Sequence, residues 1–338
     1  MNAALVGPKP LTFALLRLLA DGEFHSGQEM AMQLDVSRAS VNNALREVED
    51  YGLTLYRVRG RGYCLVAPPQ LLDSAIISRH LGEQHNNFHL TILDCAPSSN
   101  TLLMQKMAQG APSGSVLAIE WQSSGRGRMG RTWHSGLGNA LTFSLLWRFD
   151  CGLAALSGLS LAVGVALIRA LRFFNITSAK LKWPNDVLDE NGAKLAGVLI
   201  EAQGDMMGPS AVAIGIGLNL TLPQQVSRLI DRPATGLADM HGKAPNRSHL
   251  LAILLLELDK LLRDFAALGF SNLREEWESY HAFQNSSVRL SLPDGSHLSG
   301  IALGVTNEGA LKLVTDKGML IFHAGDISLD SEAEHAAA

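Results

Sequence analysis

Eighteen consecutive residues, Cys151 to Ile168, carry no formal charge and are bounded by Asp150 and Arg169. A run of that length lies at the lower edge of what spans a bilayer, so it decides first between a membrane protein and a soluble one. Its interior holds Gly152, Gly158, Gly164, Ser157 and Ser160. The expectation is a buried helix in a soluble protein without a membrane partner. The N-terminus, MNAALVGPKP, has neither the charged start nor the apolar run of a secretory signal. Cys64, Cys95 and Cys151 are odd in number and form no Cys-x-x-Cys pair. They support neither a disulfide framework nor a zinc ribbon, and a reducing cytoplasm fits best.

At 338 residues the chain has room for about two or three domains. A content of 47% hydrophobic and 18% charged residues excludes a disordered chain. Lys plus Arg is 28 against 32 Asp plus Glu, a net charge of −4, so any nucleic-acid contact must come from a local patch.

Residues 1–66 contain such a patch. The segment LTFALLRLLADG is apolar on one helical face and stops at Gly22. Ser26 to Glu29 forms a capping box that opens a short helix, and Ser37 can cap a third, RASVNNALREVEDYG. On that helix Val41, Leu45 and Val48 are spaced to face inward, leaving Arg38, Ser40, Asn42, Asn43 and Arg46 for other faces. Two short strands then flank Arg59-Gly60-Arg61-Gly62. Helix, turn, helix and an arginine-bearing hairpin are the layout of a winged helix-turn-helix. A small helical protein-interaction domain would share the first part, but the hairpin arginines favour DNA.

Pro68 and Pro69 place a linker at 67–75. From 76 to 270, strand-like runs (SVLAIEW, ALTFSLLW, KLAGVLIEA, AVAIGIGLNLTL) alternate with helical ones (LSLAVGVALIRALRFF, HLLAILLLELDKLLRDFAAL), predicting a mixed sheet with helices. In 271–330, turns at Pro293-Asp294-Gly295, Asn307-Glu308-Gly309 and Asp316-Lys317-Gly318 predict a small β-barrel. Residues 331–338 look like a frayed tail. The fold class is multidomain α+β.

The most unusual segment runs from Gln122 to Trp133. Gly125 to Gly130 formally matches G-x-G-x-x-G, but polar residues separate it from the strand before and another strand follows, so it is no dinucleotide fingerprint. Arg126, Arg128 and Arg131 on a glycine-rich loop can instead clamp an anion. A flexible surface loop or an RNA-binding run would have the same composition. Downstream stand Lys182-Trp183-Pro184-Asn185-Asp186 and Lys194-Leu195-Ala196-Gly197. Lys182 and Lys194 are candidate phosphate or carboxylate clamps, and Asp186 could hold a metal, orient a lysine or act as a base. The 11 histidines are scattered and show no metal-ligand spacing.

GRGRMGRTW, KWPND, KLAG and GIGLN, in that order, resemble the bifunctional biotin–protein ligases that also repress the biotin operon. The resemblance covers essentially the whole chain, including the winged helix and a C-terminal barrel of SH3-like type. It implies biotin contacts at Ser98, Ser99, Asn100, Gln122, Gly127, Arg128, Met129, Lys194 and Gly197. It further implies an adenylate clamp of Arg126, Arg128, Arg131, Trp133, Asn185 and Asn219, with Lys182, Asp186, Arg128 and Lys194 serving catalysis. Met129 stands where the family commonly has arginine. ATP, Mg²⁺ with unassigned ligands, a biotin carboxyl carrier protein and operator DNA are the implied cofactors and partners. Rival expectations are a biotin sensor without ligation and a lipoate ligase. Residues 1–66 balance seven basic against seven acidic side chains, so useful DNA affinity is expected to need a homodimer formed with adenylate. The run from Ala211 to Leu222 is the expected pairing edge.

Overall fold

Two serines start the helices of the N-terminal unit. In the computed structural model, which describes residues 7–330, Ser26 Oγ accepts from the backbone N of Gln28 at 3.2 Å. Ser37 Oγ accepts from Ser40 N at 3.0 Å. Three helices result, α1 (Pro10–Leu18), α2 (Gly27–Gln33) and α3 (Arg38–Arg46), followed by hairpin strands β1 (Leu55–Val58) and β2 (Gly62–Leu65). Val41, Leu45 and Val48 are fully buried, while Arg38, Asn42, Asn43 and Arg46 are exposed. The third helix is shorter than its sequence suggested, because Glu47–Tyr51 tightens into a 3₁₀ turn that ends at Gly52.

Next come α4 (Ser74–Leu81), β3 (His89–Ala96), α5 (Ser99–Ala108), β4 (Ser115–Gln122), β5 (Ala140–Phe149) and α6 (Leu159–Phe173). They are followed by β6 (Lys180–Lys182), β7 (Asp186–Leu188), β8 (Lys194–Gly204), β9 (Ser210–Asn219), α7 (Gln224–Ser227), α8 (Leu237–His241) and α9 (Arg247–Leu268). The strands form one seven-stranded sheet in the order β3-β4-β5-β9-β8-β7-β6, with only β3 and β4 parallel. Side chains alternate between its faces. Phe143, Leu145, Ile214, Ile216 and Leu218 join the large core beneath α4, α6 and α9. Leu117, Ile119, Leu146 and Ala213 meet Leu103 and Met107 of α5 on the other face.

Two expectations change here. Only the second half of the uncharged run is α-helical; in the first half Leu153–Leu156 forms a 3₁₀ turn. Gly158, at φ 81°, precedes α6, and a Cβ there would lie 2.6 Å from Cβ of Phe270. The first half instead pairs with the β8–β9 turn, Leu153 N donating to Asp205 O. Among the described residues no helix is long and apolar enough to cross a membrane. The expected pairing edge, 211–222, is likewise not an edge: β9 lies between β5 and β8 and is buried along nearly its whole length. A continuous apolar run marks a strand covered on both faces, which excludes it from edge pairing.

Past α9, α10 (Arg274–Tyr280) leads into β10 (Ser287–Ser291), β11 (His297–Val305), β12 (Leu311–Thr315), β13 (Gly318–Phe322) and β14 (Asp326–Leu329). These form an antiparallel sheet in the order β13-β12-β11-β10-β14, with the three turn sequences at its first three hairpins. The sequence-marked tail at 331–338 lies outside the described residues.

The segment 67–73 is not a loose linker. Arg247, 1% exposed, donates to Gln70 O at 2.6 Å, Ala140 O at 2.9 Å and Glu120 Oε2 at 2.6 Å. Asp73 N donates to Ser248 Oγ at 2.9 Å. The winged helix also leans on the ligase body directly. Trp121 and Leu137 belong to its core, with the Tyr51 ring edge-on to Trp121 at 5.3 Å.

His281 joins α10 to β6 and is 6% exposed, with Nδ1 3.1 Å from Gln284 Oε1. Burial pushes its imidazole pKa down, and the bond to Gln284 and the charge of Glu278 oppose this only in part. A depressed histidine means that the unfolded chain binds a proton the fold refuses. Its contribution to stability is therefore complete above about pH 6.5 and lost as pH falls below it, by at most about 1.4 kcal/mol per pH unit. The melting temperature of His281→Leu should fall less than that of wild type between pH 7 and pH 5. Parallel declines would refute the assignment.

Candidate active site

The cleft opens on the α5 side of the large sheet. It has a volume of about 460 Å³. Its polar end is built on the first turn of α5. Ser98 caps that helix, Ser99 N donates to Gln122 Oε1 at 2.6 Å, and Ser144 Oγ donates to Asn100 Oδ1 at 2.6 Å and lies 2.7 Å from Ser99 Oγ. Asn100 Nδ2 donates to Glu201 Oε2 at 2.9 Å. Glycines on β9 make room for these side chains. A Cβ on Gly215 would meet Asn100 Oδ1 at 2.5 Å, and one on Gly217 would meet the Trp133 ring at 2.4 Å.

The other end is cationic. The loop 125–133 folds back on itself, with Gly127 N donating to Arg131 O at 2.7 Å and Trp133 N to Gly125 O at 2.9 Å. It leads through an irregular stretch into strand β5, not into a helix. Met129 sits at φ 54° and is 64% exposed. Arg126 pairs with Glu201. Arg128 donates to Asn185 Oδ1 at 2.9 Å, and Asn185 Nδ2 in turn donates to Val198 O at 2.8 Å. Burial pulls the Arg128 pKa down against the pull of Asp326 and Asp186, so this guanidinium gains from any anion brought to it.

Lys194 Nζ lies 2.6 Å from Asp186 Oδ1, and Asp186 is 5% exposed. Lys182 Nζ is 3.6 Å from Asp186 Oδ2 and 2.9 Å from Asp326 Oδ1. The second Asp326 oxygen accepts from Arg131 at 2.9 Å. Burial alone would raise the Asp326 carboxyl, yet Lys182 and Arg131 outweigh it and hold the group below the ordinary carboxylate range.

Ser98, Ser99, Asn100, Gln122, Arg126, Gly127, Arg128, Met129, Arg131, Trp133, Asn185, Asp186, Lys194, Gly197 and Asn219 all line this one cleft. Lys182 does not. Its side chain is 12% exposed and is engaged by the carboxylates of Asp186 and Asp326. The sequence reading missed Glu201, Ser144 and Asp326. Strand alternation from Gly197 through Leu199 puts Glu201 on the same face, a signal that was available. Asp326 arrives from the C-terminal sheet, and nothing local marks it.

The DNA candidates lie apart from the cleft. Arg59 is exposed near the hairpin tip, but the Arg61 guanidinium stacks 4.1 Å over the Phe24 ring. Tyr63, overlooked in the sequence, donates from the wing to Asn42 Oδ1 at 3.4 Å.

Residues 92–219 match the biotin/lipoate A/B protein ligase family, 11–64 an HTH domain, and 284–330 the biotin protein ligase C-terminal domain. The molecule is thus of the biotin/lipoate protein ligase class, with a helix-turn-helix domain ahead of the ligase. The bifunctional ligase/repressor BirA of Salmonella typhimurium is 35% identical over 95% of this chain and 98% of its own length. That of Escherichia coli is 34% identical over 94% and 96%. The chain belongs to the bifunctional ligase/repressor BirA family. Among solved structures, the biotin protein ligase from Aquifex aeolicus in complex with biotin and ATP is 27% identical, with a TM-score of 0.60, covering 72% of this chain and 98% of that one.

Proposed function

We propose that the chain activates biotin with ATP and transfers it to a lysine of a biotin carboxyl carrier protein, and that its adenylate-loaded form represses transcription as a homodimer on operator DNA. One observation carries the reading: a cleft with a neutral polar end and a cationic end, formed by residues of every matched ligase motif. The ureido and thioether part of biotin suits the Ser99, Asn100 and Gln122 end, beside Val198, Leu199 and Ile216. Its carboxylate then points toward Lys194 and Arg128.

In the first step a biotin carboxylate oxygen attacks the α-phosphorus, the bond to the bridging β-oxygen breaks, and pyrophosphate leaves. Negative charge crowds at that centre, where Arg128, Arg131 and Lys194 supply fixed positive charge. In the second step the acceptor amine attacks the acyl carbon and AMP leaves, while Asp186 takes the amine proton. The loop 125–133 shields the anhydride from water between steps. A Mg²⁺ ion would neutralise phosphate charge. Among the described residues no cluster of three His, Cys, Asp or Glu side chains could cage one, and Asp186 and Asp326 are already engaged by Lys182, Lys194 and Arg131, so such an ion would be carried by the nucleotide's own phosphates. The setting is the cytoplasm, in keeping with three free cysteines.

The test uses the full chain with labelled biotin, ATP and a carrier domain. Pyrophosphate release and label on the carrier lysine are expected. Label from lipoate in place of biotin, or binding without transfer, would overturn the ligase reading. Operator binding should tighten together with self-association when biotin and ATP are added. If neither equilibrium moves, the repressor half fails.

A further inference from the structure

The C-terminal sheet lends one charged side chain to the cleft. Asp326, at the start of β14, uses both carboxylate oxygens: Oδ1 accepts from Lys182 Nζ and Oδ2 from Arg131, each at 2.9 Å. Lys182 is largely buried, 12% exposed at its side chain, and so pins Asp326 from behind. Arg131 is half exposed and rides on the loop. The two loop arginines facing the cationic end are therefore moored on different domains, Arg128 on Asn185 and Arg131 on Asp326. The polar end, held by Ser99, Gln122, Ser144 and Asn100, has no hydrogen bond to Asp326.

We propose that Asp326 is a positioning residue for the nucleotide half of the reaction, acting through Arg131. Its carboxylate fixes the guanidinium where the triphosphate arrives, and the C-terminal sheet completes the ATP site without contacting biotin. The proposal rests on the ligase reading of the cleft. A bridge that merely held two domains together would lower stability and weaken both substrates alike. A positioning residue separates them.

The experiment measures pyrophosphate release by full-length Asp326→Asn and Asp326→Glu, varying ATP and biotin in turn, with melting temperatures alongside. Asn should raise the KM for ATP about tenfold, the worth of a charge-assisted hydrogen bond, and leave the KM for biotin within about twofold. Glu keeps the charge and should recover most of the loss. Arg131→Gln leaves the Lys182–Asp326 pair intact and must reproduce the ATP-selective defect, so it decides the matter even if the Asn chain does not fold. The double variant should lose no more than the worse single one. Equal rises in both KM values, an unchanged KM for ATP, or additive losses would overturn the proposal. Lys194→Ala run in parallel separates the two readings. A normal ATP KM in Asp326→Asn beside an inactive Lys194→Ala sinks this proposal alone, whereas an active Lys194→Ala sinks the site assignment beneath it.

Discussion

Lys194→Ala should fold normally and form the adenylate about two to three orders of magnitude more slowly, the usual loss when one preorganised donor to a developing charge is removed. Lys194 reaches the cleft from the first residue of β8, and Asp186 holds its ammonium at 2.6 Å. The side chain is still partly exposed on the cleft side, so it has a free direction in which to meet an anion. Alanine removes that charge and leaves Asp186 facing the substrate carboxylate with only Lys182, at 3.6 Å, to offset it. Both effects slow the same step. Pyrophosphate release near the wild-type rate would refute the role, and a lowered melting temperature with normal turnover would show that Lys194 serves only the fold.

Glu120→Ala should be the most destabilising single change outside the apolar core. Glu120 and Arg247 are 2% and 1% exposed, and they hold each other at 2.6 Å. Deleting one partner leaves the other charge buried and uncompensated, at a cost of roughly 3–5 kcal/mol. The guanidinium would keep only Gln70 O and Ala140 O. The backbone of Leu72 would also lose its acceptor. Two measurements check this: the denaturant midpoint of the full chain should fall, and the rate of proteolysis within 67–73 should rise with it. The paired change Glu120→Gln with Arg247→Met should recover much of the loss, because no isolated charge is left behind. A midpoint within error of wild type for Glu120→Ala would show that water or a rearranged partner reaches Arg247.

How much could be foreseen depends on how far apart in the chain the parts of a feature lie. The loop arginines, Asn185, Asp186 and Lys194 sit in short motifs whose glycines and prolines announce a shaped backbone, and they converge on one cleft. Lys182 belongs to the same motif, yet its ammonium is engaged by Asp326, a residue from the C-terminal sheet that nothing in the motif announces. The apolar run in β9 was visible, but its meaning depended on which strands flank it. Regular turn spacing gave the C-terminal hairpins, whereas β3 and α5 were passed over because their apolar pattern is weak. The prolines after residue 66 pointed to irregular chain, and residues 67–73 lie outside helices and strands. The prolines could not show that a helix arginine and a strand glutamate, distant in sequence, would grip that segment.

That grip makes the DNA-reading head a stiff arm on the ligase body. With its base clamped by Arg247 and its flank against Trp121, the arm converts angle into displacement. In the proposed homodimer, the joint between two ligase bodies would then set both the distance and the helical phase at which their third helices approach a duplex. No slack in the chain can absorb an error. An operator with the wrong spacing must be bent or overwound to fit, and the elasticity of the DNA itself becomes part of how the correct site is chosen.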